Sequence, residues 1–166
     1  DHVVIAGSIS PNTLGHPDIF SHFNEEELIG LWISRNDKFY YSFGISAEEG
    51  EYVSSIAKPL IEDIVAKADE ALKPGSDRAA DLRFGHDVGL LPLVGTIGIA
   101  GMEERWKSMG VHSHWFDFQM IPMASNLQMI FFGNKKGDIL VKLVYNDRET
   151  YIPAVKTYNG VFHKWS

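Results

Sequence analysis

Hydrophobic positions change their period along the chain, and the changes place helices first and strands last. Leu28, Leu31, Trp32 and Phe39, with Arg35 among them, recur at the three- and four-residue spacing of a helix. Asn24 stands as its N-cap with Glu27 three positions on, a capping-box pattern, and Gly44 reads as its stop. The run Glu25-Glu26-Glu27 suits the positive end of that helix and reads as a solvated first turn. A second helix is predicted over Tyr52 to Leu72. There Ile56, Leu60, Ile64, Ala68 and Leu72 recur every four residues, a pattern read as one buried stripe. Pro59 falls inside it, so either the helix kinks there or its regular part begins there.

Pro74-Gly75-Ser76-Asp77 breaks this pattern. Beyond it, Ala79 to Gly85 reads as a short buried strand, and Gly89 to Ile99 as a glycine-rich apolar helix with Pro92 in its first turn. The last third is β-rich: Gln119 to Phe132 and Asp138 to Tyr145 flank Gly133-Asn134-Lys135-Lys136-Gly137, a hairpin signal. In the second arm Ile139, Val141, Leu143 and Tyr145 alternate with Leu140, Lys142 and Val144, giving one wholly apolar face and one mixed face. Residues 1 to 23 are loop-rich, with turn signals at Pro11-Asn12, Leu14-Gly15 and His16-Pro17. No repeat, low-complexity tract or linker divides the chain. A single domain or part of one is expected over residues 1–166, helical over 1–75 and sheet-forming over 76–166.

Composition narrows the function more than the fold. Forty-five per cent hydrophobic residues is ordinary globular content. No apolar run approaches the ~20 residues that cross a bilayer, so no membrane partner is expected. Asp1 to Ser10 contains an apolar stretch but lacks the basic flank of a signal peptide. Fifteen basic against 22 acidic residues give a formal charge of −7, which argues against a nucleic-acid partner. An anionic ligand would therefore have to be held by local positive groups. With no cysteine, disulfide and thiolate chemistry are excluded, while the compartment stays open.

Candidate chemistry concentrates in Asp81-Leu82-Arg83-Phe84-Gly85-His86-Asp87-Val88-Gly89-Leu90-Leu91-Pro92-Leu93. The run reads strand, glycine-hinged turn, then helix, which is where ligands gather in α/β folds. The following helix would aim free N–H groups and its positive dipole at the same space, an arrangement suited to an anion such as phosphate. There a protonated histidine can hold phosphoryl oxygens, and a carboxylic acid can give its proton to a departing alkoxide. By themselves His86 and Asp87 would equally serve as a surface pair or a helix cap. Arg83 either projects toward substrate phosphates or pairs with Asp81 or Asp77. His112-Ser113-His114 has the spacing of a strand-borne metal pair, but no carboxylate or cysteine cluster accompanies it, so no metal site is expected. Trp32, Trp106, Trp115 and Trp165 could stack on sugars, although core packing is the expected role of most aromatics here.

The run Leu82 to Leu90 resembles the C-terminal signature of branch-two histidine acid phosphatases: an apolar strand, Gly-His-Asp, and an apolar helix. Glu25 to Trp32 and Ala57 to Ile64 resemble the helices before that signature in bacterial relatives of multiple inositol polyphosphate phosphatases. Ile121-Pro122-Met123-Ala124-Ser125-Asn126-Leu127 and Asn134-Lys135-Lys136-Gly137-Asp138 resemble the strand and hairpin after it. The resemblance runs in order from about Phe23 to Ile152. It implies an α/β fold, the C-terminal part of a phosphoglycerate-mutase-like sheet with flanking helices and a C-terminal β-hairpin. It also implies a phosphomonoesterase working through a phosphohistidine without metal or cofactor, in which His86 contacts phosphoryl oxygens and Asp87 protonates the leaving oxygen. A phosphorylated small molecule is the implied substrate, and a periplasmic or secreted setting goes with the family. Two features depart from it. The Arg-His-Gly-x-Arg-x-Pro motif that carries the nucleophile is absent from this sequence, and Val88-Gly89 replaces the usual threonine and asparagine. The chain is accordingly expected to be one part of a longer enzyme, completed by an N-terminal segment of the same protein or by a second copy. A non-catalytic binding module keeping the fold without the nucleophile is the alternative.

Overall fold

The computed structural model describes residues 19–165. The turn signals at Pro11-Asn12, Leu14-Gly15 and His16-Pro17 lie outside the described residues. A single 3₁₀ turn over Ile19–His22 leads into helix α1, Glu25–Phe43. Asn24 caps it: the Asn24 side chain accepts from the Glu27 N–H at 2.9 Å and the Glu27 carboxylate accepts from the Asn24 N–H at 2.9 Å. Both bonds satisfy orphan donors of the first turn, as expected, and the three glutamates are exposed. Helix α1 stops at Gly44, whose N–H donates to Tyr40 O at 2.8 Å. A Cβ at Gly44 would lie 2.6 Å from the Tyr40 ring, so only glycine lets the chain turn so close to that aromatic.

Helix α2, Gly50–Ala71, runs unbroken through Pro59. Its buried residues are Gly50, Val53 and Ala57, and this corrects the expected stripe. Ile56 is 59% exposed and Leu60 37% exposed, while Ile64, Ala68 and Leu72 are only half-buried. The reason is helical geometry: a strict four-residue repeat advances ~40° per step around a 3.6-residue turn. A line begun at Ile56 therefore starts on the solvent side, crosses the core side marked by Val53 and Ala57 near Ile64, and does not stay on it.

Helix α3, Asp87–Ile97, buries Leu91, Pro92, Leu93, Val94 and Gly95 between α1 and α2. It ends on Gly98 in the left-handed conformation (φ 81°), which glycine adopts without Cβ strain. A 3₁₀ turn over Val111–Ser113 and the one-turn helix α4, Asp117–Met120, cross over α1.

The sheet is antiparallel throughout. Strands β1 (Leu127–Gly133) and β2 (Ile139–Tyr145) form the expected hairpin, with Leu127 opposite Tyr145 and Gly133 opposite Ile139. Asn134 organises its turn, accepting from the Lys136 and Asp138 N–H groups, and Gly137 supplies φ 87°. Strand β3 (Arg148–Thr150) pairs with β2; β5 (Phe162–Trp165) pairs with β2 and with β4 (Thr157–Tyr158). The first arm begins at Leu127, not at Gln119: Met120 ends α4, and the turn through Pro122 and Ala124 (φ 61°) prevents pairing before Leu127. Val141 and Leu143 of the apolar face join Tyr40, Leu91, Val94, Ile99, Met102, Val111, Trp115 and Ile121 in one core. Helices thus pack on an antiparallel sheet, an α/β arrangement as expected.

Tyr145 ties the sheet to α4 by donating to Met120 O at 2.7 Å. Burial pushes its phenol up to about 12, against the hydrogen bonds that lower it. A tyrosine pKa raised on folding contributes stability that is whole below the unfolded value of ~10 and is lost as pH rises toward 12. Urea unfolding of the wild type is therefore expected to weaken by on the order of 1–2 kcal/mol between pH 10 and 12, allowing for partial solvent screening. Tyr145→Phe should remove that alkaline loss at the expense of one hydrogen bond, about 1 kcal/mol, at neutral pH. Parallel alkaline curves for the two proteins would contradict this assignment.

Candidate active site

The segment expected as a buried strand, Ala79 to Gly85, is neither a strand nor buried. It has no regular secondary structure, it makes no backbone–backbone hydrogen bond among the described residues, and every residue from Asp77 to Gly89 is exposed. Leu82 is 77% and Phe84 95% exposed. Alanine, aspartate and glycine favour strands little, a strand also needs a ladder partner, and no described strand lies beside it.

Side chains tether this segment instead. Arg83 Nη2 lies 2.8 Å from Asp63 Oδ2 on α2, and Arg83 Nε lies 3.1 Å from Asp81 Oδ1. Arg78 reaches Glu70 and Asp81 at 3.7 and 3.8 Å. The segment therefore runs back along α2, with Arg78 beside Glu70 and Arg83 beside Asp63. The hydrogen bonds to Asp81 and then Asp63 hold the Arg83 guanidinium above its ordinary value, outweighing desolvation. Of the two alternatives for Arg83, pairing with Asp81 is what the geometry displays. Asp63 is a partner the sequence pattern did not single out.

His86 follows as the extended N-cap of α3 (φ −116°, ψ 164°), with no side-chain capping bond. Its carbonyl accepts from the Gly89 and Leu90 N–H groups at 2.9 and 3.0 Å. Asp87 opens the helix, and its Oδ1 accepts from the Val88 N–H at 2.8 Å. The first three residues of α3 are exposed, and α3 meets the core from Leu90 onward. His86 and Asp87 thus stand at the exposed N-terminal end of α3, where the Asp87 carboxylate itself accepts from one first-turn N–H. Two hollows lie elsewhere, an apolar one of about 170 Å³ reaching Met129, Leu143 and Trp165, and a groove reaching Met120, Asn146 and Arg148; neither is lined by His86 or Asp87.

His112, His114 and the four tryptophans are engaged in packing. His112 Nδ1 lies 2.9 Å from Asp37 Oδ2, and Asp37 also accepts from the Gly110 and His112 N–H groups. Burial would raise the Asp37 pKa, but the bonds from His112, Gly110 and Asn36 outweigh it and hold the carboxyl below its ordinary range. His114 stacks on Trp106 with ring centroids 4.4 Å apart. Trp32 stacks on Phe116 and donates to Asp117, Trp165 donates to Asp69, and Trp115 is buried. No three His, Asp or Glu side chains gather to hold a metal ion among the described residues. No helix among them is long and apolar enough to cross a membrane.

The family model for the histidine phosphatase superfamily (branch 2) matches residues 9–146, the greater part of the chain. The chain belongs to that superfamily, a phosphatase class, and the match spans α1, α2, the His86-Asp87 turn, α3 and the β1–β2 hairpin. No curated protein matches the chain.

Proposed function

We propose that this chain supplies the proton donor and phosphate clamp of a phosphomonoesterase acting through a phosphohistidine on inositol polyphosphates or sugar phosphates. The observation that carries the reading is the exposed His86-Asp87 pair on the free N-terminal end of α3. In that reaction a histidine nitrogen bonds to phosphorus, the ester P–O bond breaks, and Asp87 gives its proton to the departing oxygen. Water then hydrolyses the phosphohistidine. His86, when protonated, stabilises the phosphoryl oxygens in both steps.

On this reading the nucleophile comes from outside this sequence, in an N-terminal segment of the same protein. Two features support an incomplete site. His86 and Asp87 stand in open water, where such electrostatic contacts are weak. Apolar side chains are also exposed nearby in sequence and on α2: Leu82, Phe84 and Val88, with Tyr52, Ile56 and Leu60. Arg83 is the third candidate for the substrate phosphate, with its Nε and Nη2 already held by Asp81 and Asp63.

The test is phosphate release. The pure 166-residue chain is expected to give none above a His86→Ala control, whereas the complete enzyme should turn over and lose activity on His86→Ala. Turnover by the chain alone, or an unaffected His86→Ala enzyme, would overturn the reading.

A further inference from the structure

We infer that Asp63 and Arg83 are positioning residues, whose ion pair, with Asp81 as third member, sets where His86 and Asp87 stand. The inference rests on the reading of His86 and Asp87 as the phosphate-handling pair. Its basis is the way the preceding segment is held. Residues 77–85 have no ladder bonds to fix them among the described residues, and the first turn of α3 is exposed up to Gly89. Among the described residues, the chain from the turn at Pro74 to Leu90, whose side chain packs on the core, is fastened to another element by ion pairs at two places, Arg78 to Glu70 and Arg83 to Asp63.

The two fastenings match in spacing. Asp63 and Glu70 are two helical turns apart, so they share one face of α2, about 10 Å from each other along its axis. Arg78 and Arg83 are five residues apart on a segment with no helix or ladder bonds, long enough to cover that distance. The segment can therefore follow that face, with one arginine side chain reaching each acid. The Arg78 contacts are long, at 3.7 and 3.8 Å. The Arg83 contacts have hydrogen-bond length, at 2.8 and 3.1 Å, and Arg83 is only three residues from His86. Asp81 lies on the same segment, so it stiffens Arg83 without anchoring it; Asp63 alone of the two carboxylates fastens Arg83 to a packed helix. With Asp63 and Asp81 around the Arg83 guanidinium and Arg78 also beside Asp81, the charges balance, so the group has no surplus positive charge to attract phosphate and is well suited to hold an arginine still.

A positioning role and a ligand role for Arg83 predict opposite signs for Asp63→Asn. If Arg83 were a phosphate ligand, releasing it from Asp63 would tighten phosphate binding. If it positions His86, the release loosens the dipeptide and weakens both binding and turnover. In the complete enzyme, Asp63→Asn is expected to lower kcat/KM about tenfold, since small misplacements of reacting groups are worth one to two decades. Inhibition by inorganic phosphate should weaken with it. The exchange Asp63→Arg with Arg83→Asp should recover most of what Arg83→Asp alone loses, because the pair is rebuilt while position 83 becomes acidic. Tighter inhibition in Asp63→Asn, or an exchange no better than Arg83→Asp alone, would overturn the inference. A second readout is independent of catalysis: the backbone amide shifts of Gly85, His86 and Val88 in the 166-residue chain should move on Asp63→Asn. If they move while His86→Ala leaves turnover intact, the clamp stands and the active-site reading falls. If they do not move, the clamp itself falls.

Discussion

In the complete enzyme, Asp87→Asn is expected to lower kcat on an alkyl phosphate by about 10²–10⁴-fold while KM changes little. That loss corresponds to roughly 3–5 kcal/mol of barrier at ~1.4 kcal/mol per decade. The sign and the split follow from when the carboxyl acts. The leaving oxygen needs a proton only as the P–O bond breaks, so the interaction belongs to the transition state and its loss appears in kcat. Asparagine keeps the shape of Asp87 and its place at the first turn of α3, but it has no proton acidic enough to give. His86→Ala should differ, weakening binding of phosphate as well as turnover, because a cationic clamp acts on the ground state too. The sharper comparison is between leaving groups. An aryl phosphate departs as a stabilised anion and hardly needs the proton, so Asp87→Asn should slow it much less than an alkyl phosphate. Equal slowing of the two substrates would remove Asp87 from the role of acid.

What was legible in the sequence was local. The Asn24–Glu27 capping box, the stop at Gly44 and the Asn134–Gly137 turn are each written within five residues, and each formed as read. The apolar helix after Gly-His-Asp was legible for the same reason, although it runs from Asp87 to Ile97 and not from Gly89 to Ile99 as expected. Failures came where the answer depended on distant residues. Ala79 to Gly85 reads as a strand, yet strand formation is a property of a pair, and no described neighbour completes it. The α2 stripe failed because four-residue spacing was taken as one face, although Val53 and Ala57 are what α3 and its surroundings cover. Asp63 carried no signal at all: an acid amid the charged residues of an amphipathic helix looks solvated until Arg83, twenty residues on, folds back against it. Asp37 was likewise unremarkable, and it meets His112, read only as half of a histidine pair with His114, across 75 residues.

Asn36 is the clearest case of a determinant invisible in sequence, and it leads to the largest expected change in stability. A polar residue at position 36 of an exposed-looking helix would be assigned to solvent, yet Asn36 is 0% exposed. Its Nδ2 donates to Trp115 O at 3.0 Å and its Oδ1 accepts from the Asp117 N–H at 2.8 Å. One amide thus satisfies a carbonyl and an N–H of the strap that leads into α4, tying it to α1. Asn36→Leu keeps the branching of the side chain but puts two bulkier methyl groups in a fully buried place, so it crowds the packing and leaves both backbone groups without a partner. Each orphaned buried group costs about 1–3 kcal/mol, so urea unfolding at pH 7 should show a loss of roughly 2–5 kcal/mol. For a domain with total stability on the order of 5–15 kcal/mol, that is a large fraction. Most of the loss should be local at first, because the strap can lift from α1 before the sheet opens. Amide exchange at Asp117 is therefore expected to accelerate more than exchange in β2, whose ladder bonds lie on the other side of the core. A stable Asn36→Leu variant with a still-protected Asp117 amide would show that the strap is held by the stacking of Trp32 on Phe116 instead.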